Sequence, residues 1–147
     1  MGQFDAVVAT AGDVYFAPLQ DQTADMVLHS LHQKAVGQIN LVLEGLARIT
    51  AGGSFTLTSG VLDRDPIPMG SAAATANGAL AGFVTWAALE MPRGLRLNVV
   101  SPGLLDVSVP RYGAWFAGHV PIPAARVGMA YVKCVEGART GQVVIVD

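Results

Sequence analysis

Ser54-Phe-Thr-Leu-Thr-Ser-Gly60, a short loop, and Ser71-Ala-Ala-Ala-Thr-Ala-Asn-Gly-Ala-Leu-Ala-Gly-Phe83 form the stretch that decides the architecture. The first run alternates β-prone and apolar residues and reads as a buried strand ending at Ser59. The second is built of small residues at helical spacing, so its first turns lie beside the end of that strand. A strand feeding a helix through a short loop is one unit of an α/β domain. The same unit recurs in both directions along the chain.

Toward the N-terminus, Phe4 to Gly12 is a short apolar run closing on glycine, which predicts a strand buried on both faces. Asp13 to Gln22, with aromatics and Pro18, is a loop. Thr23 or Asp25 can cap a helix, and Met26, Val27, Leu31, Ala35, Ile39, Val42, Leu43 and Leu46 carry a helical period to about Ile49. Ala51-Gly-Gly53 stops it, and Ser54 to Thr58 is the next strand. Toward the C-terminus, Asp63 to Met69 is a Pro-rich loop. A helix runs from Ser71 to about Met91, ended by Pro92 and Gly94. Leu95 to Ser101 is a third strand, Leu104 to Pro123 a long aromatic loop, Ala124 to Gly137 a helix and Gln142 to Val146 a last strand. A structureless loop of that length in a small domain covers a site. Strands alternate with helices and no hairpin turn joins them, which predicts a parallel sheet covered by helices.

Composition sets the class. At 147 residues the chain is one domain. Hydrophobic residues make up 52% and charged residues 14%, with mean hydropathy +0.45, so part of the surface is expected to be covered by a partner. The purely apolar runs are broken by Gly, Pro or charge, and no membrane span is expected. Met1 to Asp5 has no secretory pattern, and Ala6 stands where myristoylation at Gly2 needs Ser or Thr. One cysteine, Cys134, fits a reducing cytoplasm and a buried thiol. A net charge of −2 and pI near 5.8 argue against a nucleic-acid surface.

Four segments in order resemble the short-chain dehydrogenases/reductases. Ala9-Thr-Ala-Gly12 is similar to the Asn-Asn-Ala-Gly turn after the family's fourth strand, and Ser54 to Gly60 to the strand that carries its serine, at Ser59. Gly82-Phe83 with Ala87-Ala-Leu-Glu90 resembles the helix carrying its tyrosine and lysine, and Leu95-Arg-Leu-Asn-Val-Val-Ser-Pro-Gly103 its sixth strand. The resemblance implies an α/β fold: the C-terminal half of a Rossmann-like three-layer domain, with about four parallel strands and flanking helices, from strand four onward. It also implies an NAD- or NADP-dependent oxidoreductase of a small carbonyl or alcohol. Ser59 would position the substrate oxygen, and Ala11, Gly12, Pro102 and Gly103 would line the cofactor.

Two departures qualify that picture. No Gly-rich phosphate turn precedes Phe4 in this sequence, which leaves out three βα units of roughly 30 residues each. The register that aligns Gly82-Phe83 places Ala73 at the tyrosine position and Asn77 at the lysine position. Alanine has no proton to give, and an amide cannot depress a neighbour's pKa as an ammonium does. The helical asparagine position of the family falls on Lys34, the one cation expected to reach the pocket. Tyr112, Tyr15 and His119 are loop residues that could donate a proton, with Tyr112, Trp115 and Phe116 otherwise an apolar lid. His29 and His32 lie three apart with no ligand cluster beside them, so no metal site is expected. Gly78-x-x-x-Gly82 reads as a helix-packing surface.

The readings open at this point are an impaired or inactive oxidoreductase, a non-catalytic binding or oligomerisation module that needs no cofactor, and a fragment of a longer reductase. In the family the strand Ala6 to Ala11 is central. Here it becomes an edge that invites another strand. A homo-oligomer is therefore expected, through the helices 23–49 and 71–91 and the edge 6–11, with a small-molecule ligand and no nucleic acid or membrane.

Overall fold

A computed structural model describes residues 3–147; the reading of Gly2 lies outside them. Four strands, β1 (Phe4–Val8), β2 (Ile49–Thr58), β3 (Arg96–Pro102) and β4 (Val143–Val146), form one parallel sheet in the order β1-β2-β3-β4. Between β1 and β2 run α1 (Ala24–Ser30), a π-helical segment over Leu31–Val36, and α2 (Gly37–Gly45). Helix α3 (Ser71–Ala87) joins β2 to β3, the short α4 (Val109–Tyr112) follows β3, and α5 (Ala124–Glu136) leads into β4. The expected α/β sheet with flanking helices is what the chain forms.

Period-two alternation in the strands builds two cores. Phe55, Leu57, Leu97 and Val99 face Ala35 and Val42 of the first helix and Leu80 and Val84 of α3, all buried. Val100, Val144 and Val146 face the other way, onto Val127, Ala130 and Cys134 of α5. The result is three layers. Thr23 caps α1 as expected, its side chain accepting from the Met26 amide at 3.3 Å. Arg96 holds the far end of α5. Its guanidinium donates to the carbonyls of Cys134 at 2.8 Å and Val135 at 2.9 Å, and to that of Gly137.

Several boundaries differ from the sequence reading. The first helix ends at Gly45 rather than near Ile49, and Ala51-Gly-Gly53 belongs to β2 rather than stopping a helix. Backbone contact is the reason: a Cβ on Gly53 would stand 2.6 Å from the Asp5 carbonyl oxygen, so glycine is what lets β1 and β2 meet there. Gly52, at φ 76°, takes up the irregularity between the pairs Phe4–Ile49 and Ala6–Ser54. Strand β1 is five residues long and is not buried on both faces. Asp5, Ala6 and Val8 are exposed, because no described strand pairs on its outer side. The long aromatic loop contains α4 and two 3₁₀ turns, Asp106–Ser108 and Gly113–Trp115.

One apolar run is longer than the sequence reading allows. Ser71–Glu90 is a 20-residue helical segment long and apolar enough to cross a membrane by length and composition. Its small residues hid this, since Ala and Gly count as apolar without forming an obvious run. Ala72, Ala73, Ala76, Leu80 and Val84 of this helix pack into the cores of the domain.

Candidate functional site

The carboxyl ends of the three adjacent strands β1, β2 and β3 converge on a cavity of about 250 Å³. Gly12 follows β1, Ser59 and Gly60 follow β2, and Pro102 and Gly103 end β3; all line it. In open α/β sheets ligands bind in this crevice, because the strand ends leave a gap that loops can close. The closing loops supply Phe16, Leu62, Tyr112 and Phe116. Phe16 and Trp115 lie 5.3 Å apart between ring centroids and Tyr112 and Trp115 6.0 Å, so the aromatic segment is a packed lid.

Lys34 enters from the π-helical segment. Its wider turn is closed by the Gly37 amide donating to the His32 carbonyl, five residues back. Lys34 Nζ donates to the Ser59 carbonyl oxygen at 3.1 Å. Burial pushes the amine down to about 8, while the Asp63 carboxylate acts in the opposite direction. Four residues along, the buried Gln38 clamps the helix to the strand. Its amide nitrogen donates to the Thr58 carbonyl at 2.9 Å and its oxygen accepts from the Thr58 amide at 2.8 Å. Gln38, which fixes where Lys34 and Ser59 meet, does not stand out by any motif in the sequence. A lone polar position on an otherwise apolar helical stripe was the available signal.

Ala73 and Asn77 line the same cavity from α3. Asn77, 2% exposed, donates from Nδ2 to the Gly60 carbonyl at 3.2 Å, tying α3 to the loop after β2. Its Oδ1 and the Oγ of Ser59 are buried with no hydrogen-bond partner. Native interiors seldom leave such atoms unpaired, at a cost of about 1–3 kcal/mol each. Ser54 Oγ and Thr56 Oγ1, inside β2, share that state; Ser59 and Asn77 differ from them in belonging to the cavity wall.

Of the residues named from sequence, Ser59, Lys34, Tyr112, Gly12, Pro102 and Gly103 come together here. Ala11 does not. It lines a separate groove beside β1 with Val8, Gln33 and Leu41. Tyr15 stacks edge-on against His29 at 4.9 Å, and His29 pairs with Asp13 at 3.2 Å. His119 sits 3.5 Å from Asp65. No cluster of His, Cys, Asp or Glu that could hold a metal occurs among the described residues. Arg64, which no local pattern in the sequence singles out, ties the end of β3 to Asp147: it donates to Ser101 Oγ at 2.5 Å and to Asp147 at 2.7 Å. Residues so far apart in the chain give no local signal.

Comparison with known proteins places this arrangement. The family model described as Enoyl-(Acyl carrier protein) reductase matches residues 1–114. The crystal structure of the protein lin1944 from Listeria innocua is 44% identical, covers 99% of this chain and 73% of its own, and superposes with a TM-score of 0.97. The remaining 27% of that protein amounts to about 54 residues, fewer than three βα units need. A small-chain dehydrogenase is 30% identical over 99% of this chain and 70% of its own, with a TM-score of 0.82. Another, in complex with NADPH, is 27% identical over 99% and 73%, with a TM-score of 0.84. A search of curated proteins returns no match. With a family model spanning more than half its length and these relatives covering nearly all of it, the chain belongs to the short-chain dehydrogenase/reductase family.

Proposed function

We propose that the chain is an oxidoreductase of a small carbonyl or alcohol that works with NAD or NADP and is impaired in its proton chemistry. The observation that carries this reading is the cavity at the ends of β1, β2 and β3, with Ser59, Lys34 and Asn77 in its wall. The unpartnered Ser59 Oγ and Asn77 Oδ1 fit a bound oxygen ligand beside a nicotinamide ring, and Gly12, Pro102 and Gly103 would hold the ring's edge. The NADPH bound by a 27%-identical relative supports the cofactor class. The nicotinamide, when bound, supplies or accepts a hydride.

This chain's own residues do the rest. Ser59 orients the substrate oxygen, and the lid of Phe16, Tyr112 and Phe116 excludes water, which strengthens every polar contact inside. Impairment follows from Ala73: its methyl group offers no proton at the position where the family resemblance puts a tyrosine, and Asn77 offers no charge beside it. NADPH- and NADH-dependent reduction of benzaldehyde by the wild-type chain and by an Ala73→Tyr/Asn77→Lys variant tests this. The reading expects binding of cofactor in both and turnover raised at least about tenfold in the variant, within the usual range for general acid catalysis. Failure of either protein to bind cofactor at millimolar concentration contradicts it.

A further inference from the structure

The cavity wall contains one amine, and three features hold it there. The π-helical turn projects Lys34 toward the strand ends, Gln38 fixes the helix against Thr58, and Gly12 leaves room for the lysine stem. We propose that Lys34 is a nucleophile whose Nζ condenses with the carbonyl carbon of a small aldehyde or ketone seated in the cavity, forming an imine. The proposal rests on the reading of the cavity as a carbonyl site and adds a covalent step to it.

The surroundings suit that chemistry. Lys34 Nζ has a carbonyl oxygen as its hydrogen-bond partner and, among the described residues, no ion pair with a carboxylate that would hold it protonated. With its pKa lowered to about 8, roughly a quarter of the amine is unprotonated at about pH 7.5, against about 0.1% of an ordinary lysine. Asp63 is the charged group that acts on it, and it limits the fall. A desolvated lysine in a pocket with apolar walls is how proteins activate an amine toward carbonyls. Ala73 and Gly60 keep the space beside Lys34 open, while Phe16, Leu62 and Tyr112 give an apolar wall for the substrate's carbon skeleton.

The step balances without a redox partner. The nitrogen lone pair forms the C–N bond, the carbonyl π pair moves to oxygen, and the proton lost from nitrogen passes to that oxygen to give a carbinolamine. Ser59 Oγ and Asn77 Oδ1, otherwise unpartnered, offer hydrogen bonds to its hydroxyl. Protonated by solvent, that hydroxyl leaves as water and the C=N bond forms.

The chain carries its own control. Lys34 and Lys133 are its two lysines, and Lys133 lies exposed on α5. The wild-type chain is incubated with benzaldehyde and cyanoborohydride at about pH 7.5, digested, and both lysine peptides are quantified by mass spectrometry. Benzyl alcohol binding is followed in parallel by ligand-observed NMR. The expected result is benzylation of Lys34 at least about tenfold faster than of Lys133, saturating with aldehyde and suppressed by benzyl alcohol. In a folded Gly12→Ala variant, which displaces the lysine, the preference is expected to disappear. If benzyl alcohol binds but Lys34 reacts no faster than Lys133, the nucleophile is overturned and the carbonyl site stands. If benzyl alcohol does not bind and Lys34 shows no preference, both fall.

Discussion

Gly12 and Lys34 share one space: a Cβ built on the glycine would stand 2.7 Å from Lys34 Cγ and 3.1 Å from its Cβ. The contact joins the turn after β1 to the π-helical segment and aims the amine at Ser59. Gly12→Ala is therefore expected to push the lysine stem and its helix aside. Overpacking of this kind costs about 1–3 kcal/mol. Chemical denaturation of the two proteins measures the loss, and an unchanged midpoint would refute the contact.

The buried amine makes stability depend on pH. Lys34 has a folded pKa of about 8 against an ordinary value of 10.5. Between those values the unfolded chain binds more protons, so stability from this group rises with pH; below about 8 both states are charged and the burial cost is fully felt. Cys134 and Tyr131 are shifted upward by burial and act in the opposite sense at alkaline pH, since the unfolded chain loses those protons first. The difference between wild type and Lys34→Met isolates the lysine. It is expected to move in favour of wild type by about 1–3 kcal/mol from pH 8 to 10.5 and to stay flat below pH 7. A flat difference throughout would show an unshifted lysine.

Arg96 is expected to be the costliest single charge to remove from the fold. Its forked guanidinium bonds the Cys134, Val135 and Gly137 carbonyls at the end of α5, where the helix leaves them unpaired and the dipole favours a cation. Arg96→Lys keeps the charge and loses the fork. A destabilisation of about 1–3 kcal/mol in urea titration is expected for it, and more for Arg96→Met.

The outer side of β1 shows Val8 45% exposed, and Trp86 and Leu89 project from the α3 segment at 73% and 78%. On the same helix, Gly78 and Gly82 have open space where a Cβ would go, with no described atom within 4 Å. We propose self-association through these surfaces. Sedimentation at micromolar concentration is expected to show a species larger than a monomer, and Val8→Lys, which places charge on the open edge, is expected to weaken it. A stable wild-type monomer would contradict the proposal.

Much of the architecture was legible because strands and helices alternate with Gly and Pro at nearly every junction, and because Leu97, Val99 and Val100 show which faces are buried. The start of β2 was not, since Ala51-Gly-Gly53 has the composition of a break. Only the close approach of the Asp5 carbonyl explains why glycine sits inside a strand there. At the site, Ser59 and Lys34 could be named from local patterns and from the family's spacing. Gln38 shows in the sequence only as a lone polar position on an apolar stripe, without its partner Thr58 20 positions away, and Arg64, which acts on Ser101, gives no local signal. The π-helical turn carrying Lys34 has no composition of its own; an extra residue in a helical turn is legible only once the turn is seen.

We propose the ends of β1, β2 and β3 as an oxidoreductase's ligand site. Amide chemical shifts of the labelled chain during titration with NADPH and benzyl alcohol test it most directly. Saturable changes are expected at Gly12, Ser59, Gly60 and Gly103, with α5 unaffected. Absence of change at those four amides at millimolar ligand, or changes confined to the groove of Val8 and Ala11, would contradict it.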